Sequence, residues 1–319
     1  MSLERVSALI QRFEELQKRH PASIPYAVSL GRASKPHLVI SAIIHGDEVG
    51  TLPAFISVME DLESGKLKFP GKLSFVLGNI PAARVDQRFF ERDLNRSFGI
   101  KEAKLVEETR ALELEDLISE ADLYVDLHQT IESSLDSFHI TAFHKESYEW
   151  ARLVGRPGKF VTHDPDEGFS TAGLCSDEFA QNQGIPSMSI EFFQKGFSKQ
   201  ADDSTKEFLH CLLREASLHL GKSASTIKKS SQMKNPLEAF WIVYREKLQS
   251  REDRLIETLA NLQSVKAGTI LGERSSLSTI VAPETGIILF PKYPHKLHPG
   301  ATLPESLFAL ARSRPDLDG

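Results

Sequence analysis

His45-Gly46-Asp47-Glu48 sets an imidazole and a carboxylate three positions apart, directly after the apolar run at residues 38–44. A second imidazole, His128, closes another apolar run at residues 123–127. Two buried strands ending side by side would bring both rings and the carboxylate to one rim of a sheet. His45, Glu48 and His128 would then form a zinc set with three protein ligands. The fourth position would stay open for water, which separates a catalytic zinc from a structural one. Each residue alone is a weak signal. A histidine at a strand end is commonly hydrogen-bonded at the surface, and Glu48 by itself would favour the start of a following helix. Together they are hard to explain by packing. Asp126 lies two residues before His128, on the same strand face. It would accept the other imidazole N–H and orient the ring, or else bond a backbone amide.

Two further blocks carry charge where structure alone does not need it. Residues 88–98 hold Arg88, Arg92, Arg96 and Asn95 in a loop that follows the strand end at Gly78-Asn79-Ile80-Pro81. These arginines either pair with nearby acids or recognise a substrate carboxylate, which a planar guanidinium clamps with two hydrogen bonds. Glu191 ends the apolar stretch 185–190 and precedes Phe192 and Phe193. A carboxylate there is costly without a partner or a task. Such surroundings raise its pKa toward the range of a general base; the alternative is an ion pair with one of the arginines.

The elements that must position these groups can be read from periodicity. Apolar residues at helical spacing over 1–20 predict a helix that His20-Pro21 stops. Strands are predicted at 27–31, 37–44, 73–77, 123–128, 138–143 and 187–191, with helices at 49–62 and 102–119. This alternation argues for an α/β sheet with helices on both faces. Residues 221–231 look like a linker. Short alternating runs between turn formers follow at 240–244, 269–271, 279–281 and 286–290, which read as a small β-rich domain. The expected division is 1–222 and 223–319.

Composition bounds the rest. The chain has 319 residues with 40% hydrophobic and 26% charged, the make-up of an ordinary globular protein. A net charge of −6 gives no general attraction to nucleic acid or anionic membrane. No stretch has the length of a membrane span, and no secretory signal is read at the N-terminus. Cys175 and Cys211 suggest neither a disulfide framework nor a metal knuckle, so a cytoplasmic location is expected. There is no glycine-rich phosphate loop and no basic–aromatic patch. His139, His144 and His163 read as structural.

The blocks His45-Gly46-Asp47-Glu48, Arg88, Asp93-Leu94-Asn95-Arg96, Asp126-Leu127-His128 and Glu191 together resemble the zinc carboxypeptidase superfamily. More narrowly, they resemble its succinylglutamate desuccinylase/aspartoacylase branch. The β-rich C-terminal texture and Leu297-His298-Pro299-Gly300 fit that branch more loosely. The resemblance implies a zinc-carboxypeptidase-like mixed sheet and one zinc per chain on His45, Glu48 and His128. It implies Arg88 polarising the scissile carbonyl, Asn95 and Arg96 holding a substrate carboxylate, and Glu191 as general base. It also implies a C-terminal tyrosine near the substrate, for which Tyr293 is the counterpart. The expected activity is hydrolysis of the amide of an N-acyl amino acid. A carboxypeptidase or cell-wall peptide peptidase is the rival, and a zinc-containing binding protein without catalysis is the alternative of another class. The expected partner is a small N-acyl amino acid or short peptide.

Overall fold

The computed structural model describes residues 3–31, 33–234, 236–297, 303–315 and 317. Helix α1 (Leu3–Arg19) buries Val6, Leu9, Ile10, Phe13 and Leu16, the stripe its spacing predicts. Strands β1 (Ala27–Leu30), β2 (His37–Ala42) and β3 (Lys72–Leu77) follow, with α2 (Leu52–Glu63) between the last two. A four-residue helix, α3 (Ile80–Ala83), leads into the Arg88–Arg96 loop, and α4 (Val106–Ser119) returns the chain to β4 (Leu123–Thr130). Then come β5 (Phe138–Ala142), α5 (Lys145–Val154), β6 (Lys159–His163), α6 (Ser176–Asn182), β7 (Ser187–Gln194) and α7 (Lys199–His219). The C-terminal part comprises α8 (Ala224–Gln232), β8 (Glu238–Lys247), β9 (Arg254–Leu255), β10 (Ser264–Val265), β11 (Ile270–Glu273), β12 (Thr279–Val281), β13 (Gly286–Leu289) and β14 (Ser306–Ser313).

Eleven strands form one mixed sheet in the order β1-β3-β2-β4-β7-β5-β6-β8-β14-β13-β10, and β12-β11-β9 form a small second sheet. The centre is parallel: β3, β2, β4 and β7 run the same way. Strand β2 shows why both faces are covered. Leu38, Ile40 and Ala42 join the apolar cluster under α1, α2, α5, α7 and α8, while Val39 joins the cluster under α4 and α6. Period-two alternation with both sets apolar is the mark of a strand buried on two sides.

Three expectations need correction. His128 and Glu191 do not end their strands, because β4 runs on to Thr130 and β7 to Gln194. The stretch read as a linker is largely helix α8, capped by the Ser223 side chain, with Ile227 and Ser231 buried. The C-terminal strands are not apart from the main sheet: β8 pairs in parallel with β6, and β14, β13 and β10 extend it. Residues 298–300 of the Leu297-His298-Pro299-Gly300 string lie outside the described residues.

Candidate metal centre

Strand β2 ends at Ala42, and the next residues turn sharply, with Ile43 at φ 51°. The turn carries His45 and Glu48 back over the sheet rim. Gly46 is required there, since a Cβ would sit 2.4 Å from the Ala83 backbone nitrogen. The Gly46 N–H donates to the Arg88 carbonyl (2.9 Å), so the two loops are tied at this point.

On the neighbouring strand, Tyr124, Asp126 and His128 share the face toward α4 and α6, and all three are buried. His128 Nδ1 lies 2.9 Å from Glu48 Oε2, and His45 Nδ1 lies 2.8 Å from Glu48 Oε1. One ligand atom from each of His45, Glu48 and His128 falls within 4.8 Å of the others. The His45 and His128 rings are 5.1 Å apart. His45 Nδ1 is buried yet has no hydrogen bond of acceptable geometry, despite its closeness to Glu48. A buried ring nitrogen converging with a carboxylate and a second ring nitrogen suits a shared cation. Two nitrogens and one oxygen are the donors of a zinc site.

Both rings are held from behind. His128 Nε2 meets Asp126 Oδ2 at 2.7 Å, and Asp126 accepts from the Ser176 and Ser41 hydroxyls, each at 2.7 Å. His45 Nε2 meets Asp93 Oδ1 at 3.1 Å, and Asp93 also accepts from the Asn95 N–H. Each histidine thus turns Nδ1 inward and Nε2 to a carboxylate, the pattern of an oriented metal ligand. Arg88 donates to Glu48 Oε1 (3.0 Å) and lies 2.8 Å from His45 Nε2. A proton on that nitrogen suits Asp93, while a lone pair there suits Arg88.

Burial works against charge throughout the cluster, but the partners outweigh it. His45 is raised because Glu48 and Asp93 overcome burial and Arg88. Glu48 is held well below the usual carboxylate range because the two histidines overcome burial. Glu191 behaves differently. It stands in register with His128 on the adjacent strand, so both side chains leave the same face. Burial first, and the charge of Glu48 second, push it up to about 7. Its Oε2 is buried without a hydrogen-bond partner. No ion pair to Arg88, Arg92 or Arg96 forms, which removes the structural alternative for this residue.

The arginine block divides. Arg92 is structural: it donates to Glu108 Oε1 (2.9 Å) and to the Arg96 and Ala172 carbonyls. Arg96 meets no carboxylate among the described residues. It donates to Cys175 Sγ (3.0 Å) and to the Asn95 carbonyl. Asn95 accepts the Ser176 N–H through Oδ1 at 2.9 Å, which links the loop to α6. Tyr293 is not brought to the cluster. It is buried among the C-terminal apolar residues, and its hydroxyl donates to the Ile256 carbonyl at 3.0 Å. Its neighbour Lys292 is the residue from that segment that feels the site: burial, then Arg88, lowers it to about 8. His144 caps α5 and His139 packs between Phe160 and Phe208, structural roles as expected.

Sequence reasoning missed Glu107. This fully buried carboxylate accepts the backbone N–H groups of Phe90, Glu91 and Arg92 and the Asn79 side-chain amide, so it shapes the loop that carries Arg88. It also missed Gln129, whose amide ties Gly50 to the Phe192–Gly196 backbone. Only an acid in the first turn of α4 hinted at the former.

Comparison with known proteins agrees with this geometry. Residues 34–214 match the model of the succinylglutamate desuccinylase/aspartoacylase catalytic domain, more than half of the chain. A succinylglutamate desuccinylase of Burkholderia lata is 31% identical over 123 residues, 35% of this chain and 35% of that protein. One of Pseudomonas paraeruginosa is 36% identical over 124 residues, 36% of this chain and 35% of the relative. The matched stretch is therefore about a third of the length of these relatives. The crystal structure of the Chromobacterium violaceum succinylglutamate desuccinylase superposes with TM-score 0.67 at 20% identity, covering 92% of this chain and 90% of that one. A product-bound ectoine utilization protein of Ruegeria pomeroyi gives TM-score 0.65 at 18% identity, covering 90% and 87%. Those likenesses show a shared fold, and the domain match establishes that the chain belongs to the succinylglutamate desuccinylase/aspartoacylase family.

Proposed function

We propose that this chain is a zinc-dependent amidohydrolase that removes the acyl group from an N-acyl amino acid. The observation that carries the reading is the convergence of His45 Nδ1, Glu48 and His128 Nδ1 beside an unpartnered Glu191 carboxylate. A binding protein without catalysis has no use for that fourth group. Zinc on His45, Glu48 and His128 would supply an acidified water and a polarised amide carbonyl. Glu191 takes a proton from the water at Oε2 and returns it to the leaving nitrogen. A dication bound nearby would favour its ionised form and so offset the burial and the Glu48 charge that push it up to about 7. Asp93 and Asp126 fix the two rings, and Arg88 supplies positive charge where the tetrahedral oxyanion develops. Arg96, helped by Asn95, holds the substrate carboxylate. We assign the catalytic work to residues 1–222 and the walls that limit substrate size to residues 223–319. The two free cysteines suit a reducing cytoplasm. Among the described residues no helix is long and apolar enough to cross a membrane.

The test is hydrolysis by the zinc-loaded protein of N-succinyl-, N-acetyl- and N-formyl-amino acids, their carboxamides and short peptides, with Glu191→Gln in parallel. Relatives named as succinylglutamate desuccinylases put the N-succinyl compounds first. Free acids should be hydrolysed and carboxamides poorly, and Glu191→Gln should be slower by roughly 10²–10⁴, the usual worth of a general base. No turnover of any N-acyl amino acid would end this reading. Equal turnover of amidated forms would favour the peptidase.

A further inference from the structure

Arg96 is not the only guanidinium without an acid. Arg245, in β8, also lacks a carboxylate within ion-pair distance among the described residues, and its Nη2 is buried without a hydrogen-bond partner. Both cations lie over one ring: the Arg96 guanidinium carbon is 5.4 Å from the Phe169 centroid and that of Arg245 is 5.3 Å from it. Of the acids that Arg245 feels, Glu167 acts most strongly but from beyond ion-pair distance, and the other two are engaged elsewhere. Glu178 accepts the Phe169 and Cys175 N–H groups, and Glu305 accepts the Ser170 and Thr171 hydroxyls. A third group faces the same ring. His163 is 2% exposed, its ring is 5.9 Å from Phe169, and its Nε2 has no partner.

Two like charges against one aromatic ring repel, as the effect of Arg96 on Arg245 shows, and partial burial adds a cost that the ring repays only in part. Arg92, a few residues away, shows the ordinary solution, a carboxylate at 2.9 Å. Arg96 and Arg245 have no such partner, so the missing anion is the natural completion of the cluster. Its place relative to the metal centre is fixed by short links. Asp93, three residues before Arg96, reaches His45, while Asn95 holds Ser176, whose hydroxyl reaches the Asp126 that orients His128. Arg245 is just as firmly set, since Ala309 of β14 stands opposite it in register.

We propose that Arg245 completes, with Arg96, a two-guanidinium clamp over Phe169 that grips a carboxylate of the substrate and makes the C-terminal strands part of substrate selection. Arg245 lies beyond the residues that match the family's catalytic domain, 34–214, so this half of the clamp is contributed by the rest of the chain. The proposal rests on the reading of the site as a hydrolase only in calling the anion a substrate group.

Calorimetric titration of the zinc-loaded protein with succinate and with neutral succinamide tests the clamp without turnover. Wild type should bind succinate, and Arg245→Gln and Arg96→Gln should each bind it at least about tenfold more weakly, with succinamide binding the same in all three. Arg245→Lys, which keeps the charge but not the fork, should fall between. Failure of wild type to bind succinate, succinate binding within twofold in Arg245→Gln, or parallel weakening of succinamide would overturn the proposal. Zinc content and melting temperature, measured alongside, identify a variant that has merely misfolded; Arg245→Lys then decides. Should the clamp behave as expected while no N-acyl amino acid is hydrolysed, the hydrolase reading fails and the anion site stands. Hydrolysis with no Arg245 dependence gives the converse.

Discussion

Glu48 is approached on three sides at once, by His45, His128 and Arg88, at 2.8, 2.9 and 3.0 Å. A carboxylate so placed is not free to move when a ligand partner is removed, so single substitutions should report on the metal rather than on collapse of the site. His45→Ala and His128→Ala should each lose most bound zinc by elemental analysis while keeping the wild-type circular dichroism spectrum. Asp126→Asn should keep the ligands but lose orientation, weakening zinc by about 10- to 100-fold, the usual effect of such outer groups. Full zinc occupancy in either alanine variant would remove the metal assignment. The asparagine variant binding as tightly as wild type would remove only the role of Asp126. At this scale the sequence was legible where residue type and spacing coincide, as in His45, Glu48, Asp126 and His128. It was opaque where a carboxylate acts on distant backbone: nothing in the string around Glu107 reveals that its partners are the amides of residues 90–92.

Strand order explains why the element reading held where it did. Residues 38–42, 73–77 and 123–127 are nearly continuous apolar runs, each broken by one residue (Ser41, Ser74, Asp126), because their strands are covered on both faces, and such runs stand out in any sequence. Strand ends are set by neighbours instead. Strand β4 continues past His128 because β7 pairs with it as far as Thr130, a fact of register that periodicity does not hold. Helix α8 was missed because serine and lysine dominate it, and only Ile227 marks the face that packs. The place of Tyr293 was illegible for the same kind of reason: whether Lys292 or Tyr293 faces the site depends on the path from β13 into β14. Strand β5 supplies a prediction of its own. His139 is fully buried between Phe160 and Phe208, and burial lowers it to about 4; His37 on β2 is lowered to about 4 by burial and then by Lys72. Each folded pKa lies below the ordinary 6.5, so between pH 6.5 and 4 the unfolded chain binds the extra proton. Stability is therefore fully present above pH 6.5 and falls as pH drops toward 4, by up to roughly 3 kcal/mol per histidine. Urea unfolding at stepped pH should show a shallower decline for His139→Phe than for wild type. Parallel declines would mean that His139 is not kept neutral by the fold.

One eleven-stranded sheet runs through both parts of the chain, and an apolar cluster across it decides how independent the C-terminal part is. Phe138, Ile140 and Val161 from β5 and β6 pack with Phe240, Ile242, Leu262, Ile287, Leu289, Ala309 and Ala311 from the C-terminal part. Removing the latter would uncover three large apolar side chains, at about 1.5–3 kcal/mol each. The sum, roughly 5–9 kcal/mol, is comparable to the whole stability of an ordinary domain. It would also leave β6 as an exposed edge, ready to pair with another chain. Residues 1–222 and 223–319 should accordingly unfold together. The two tryptophans allow a direct check, since Trp150 lies buried in α5 and Trp241 lies in β8. In Trp241→Phe the fluorescence of Trp150, and in Trp150→Phe the fluorescence of Trp241, should change at the same urea concentration as the far-ultraviolet circular dichroism of that variant. Coincident transitions are the signature of a single cooperative unit. A Trp241 transition that precedes loss of secondary structure by more than about 0.5 M urea, beyond the error of a fitted midpoint, would show that the C-terminal strands peel off first. Arg245 would then belong to a separable wall rather than to the body that holds His45, Glu48 and His128.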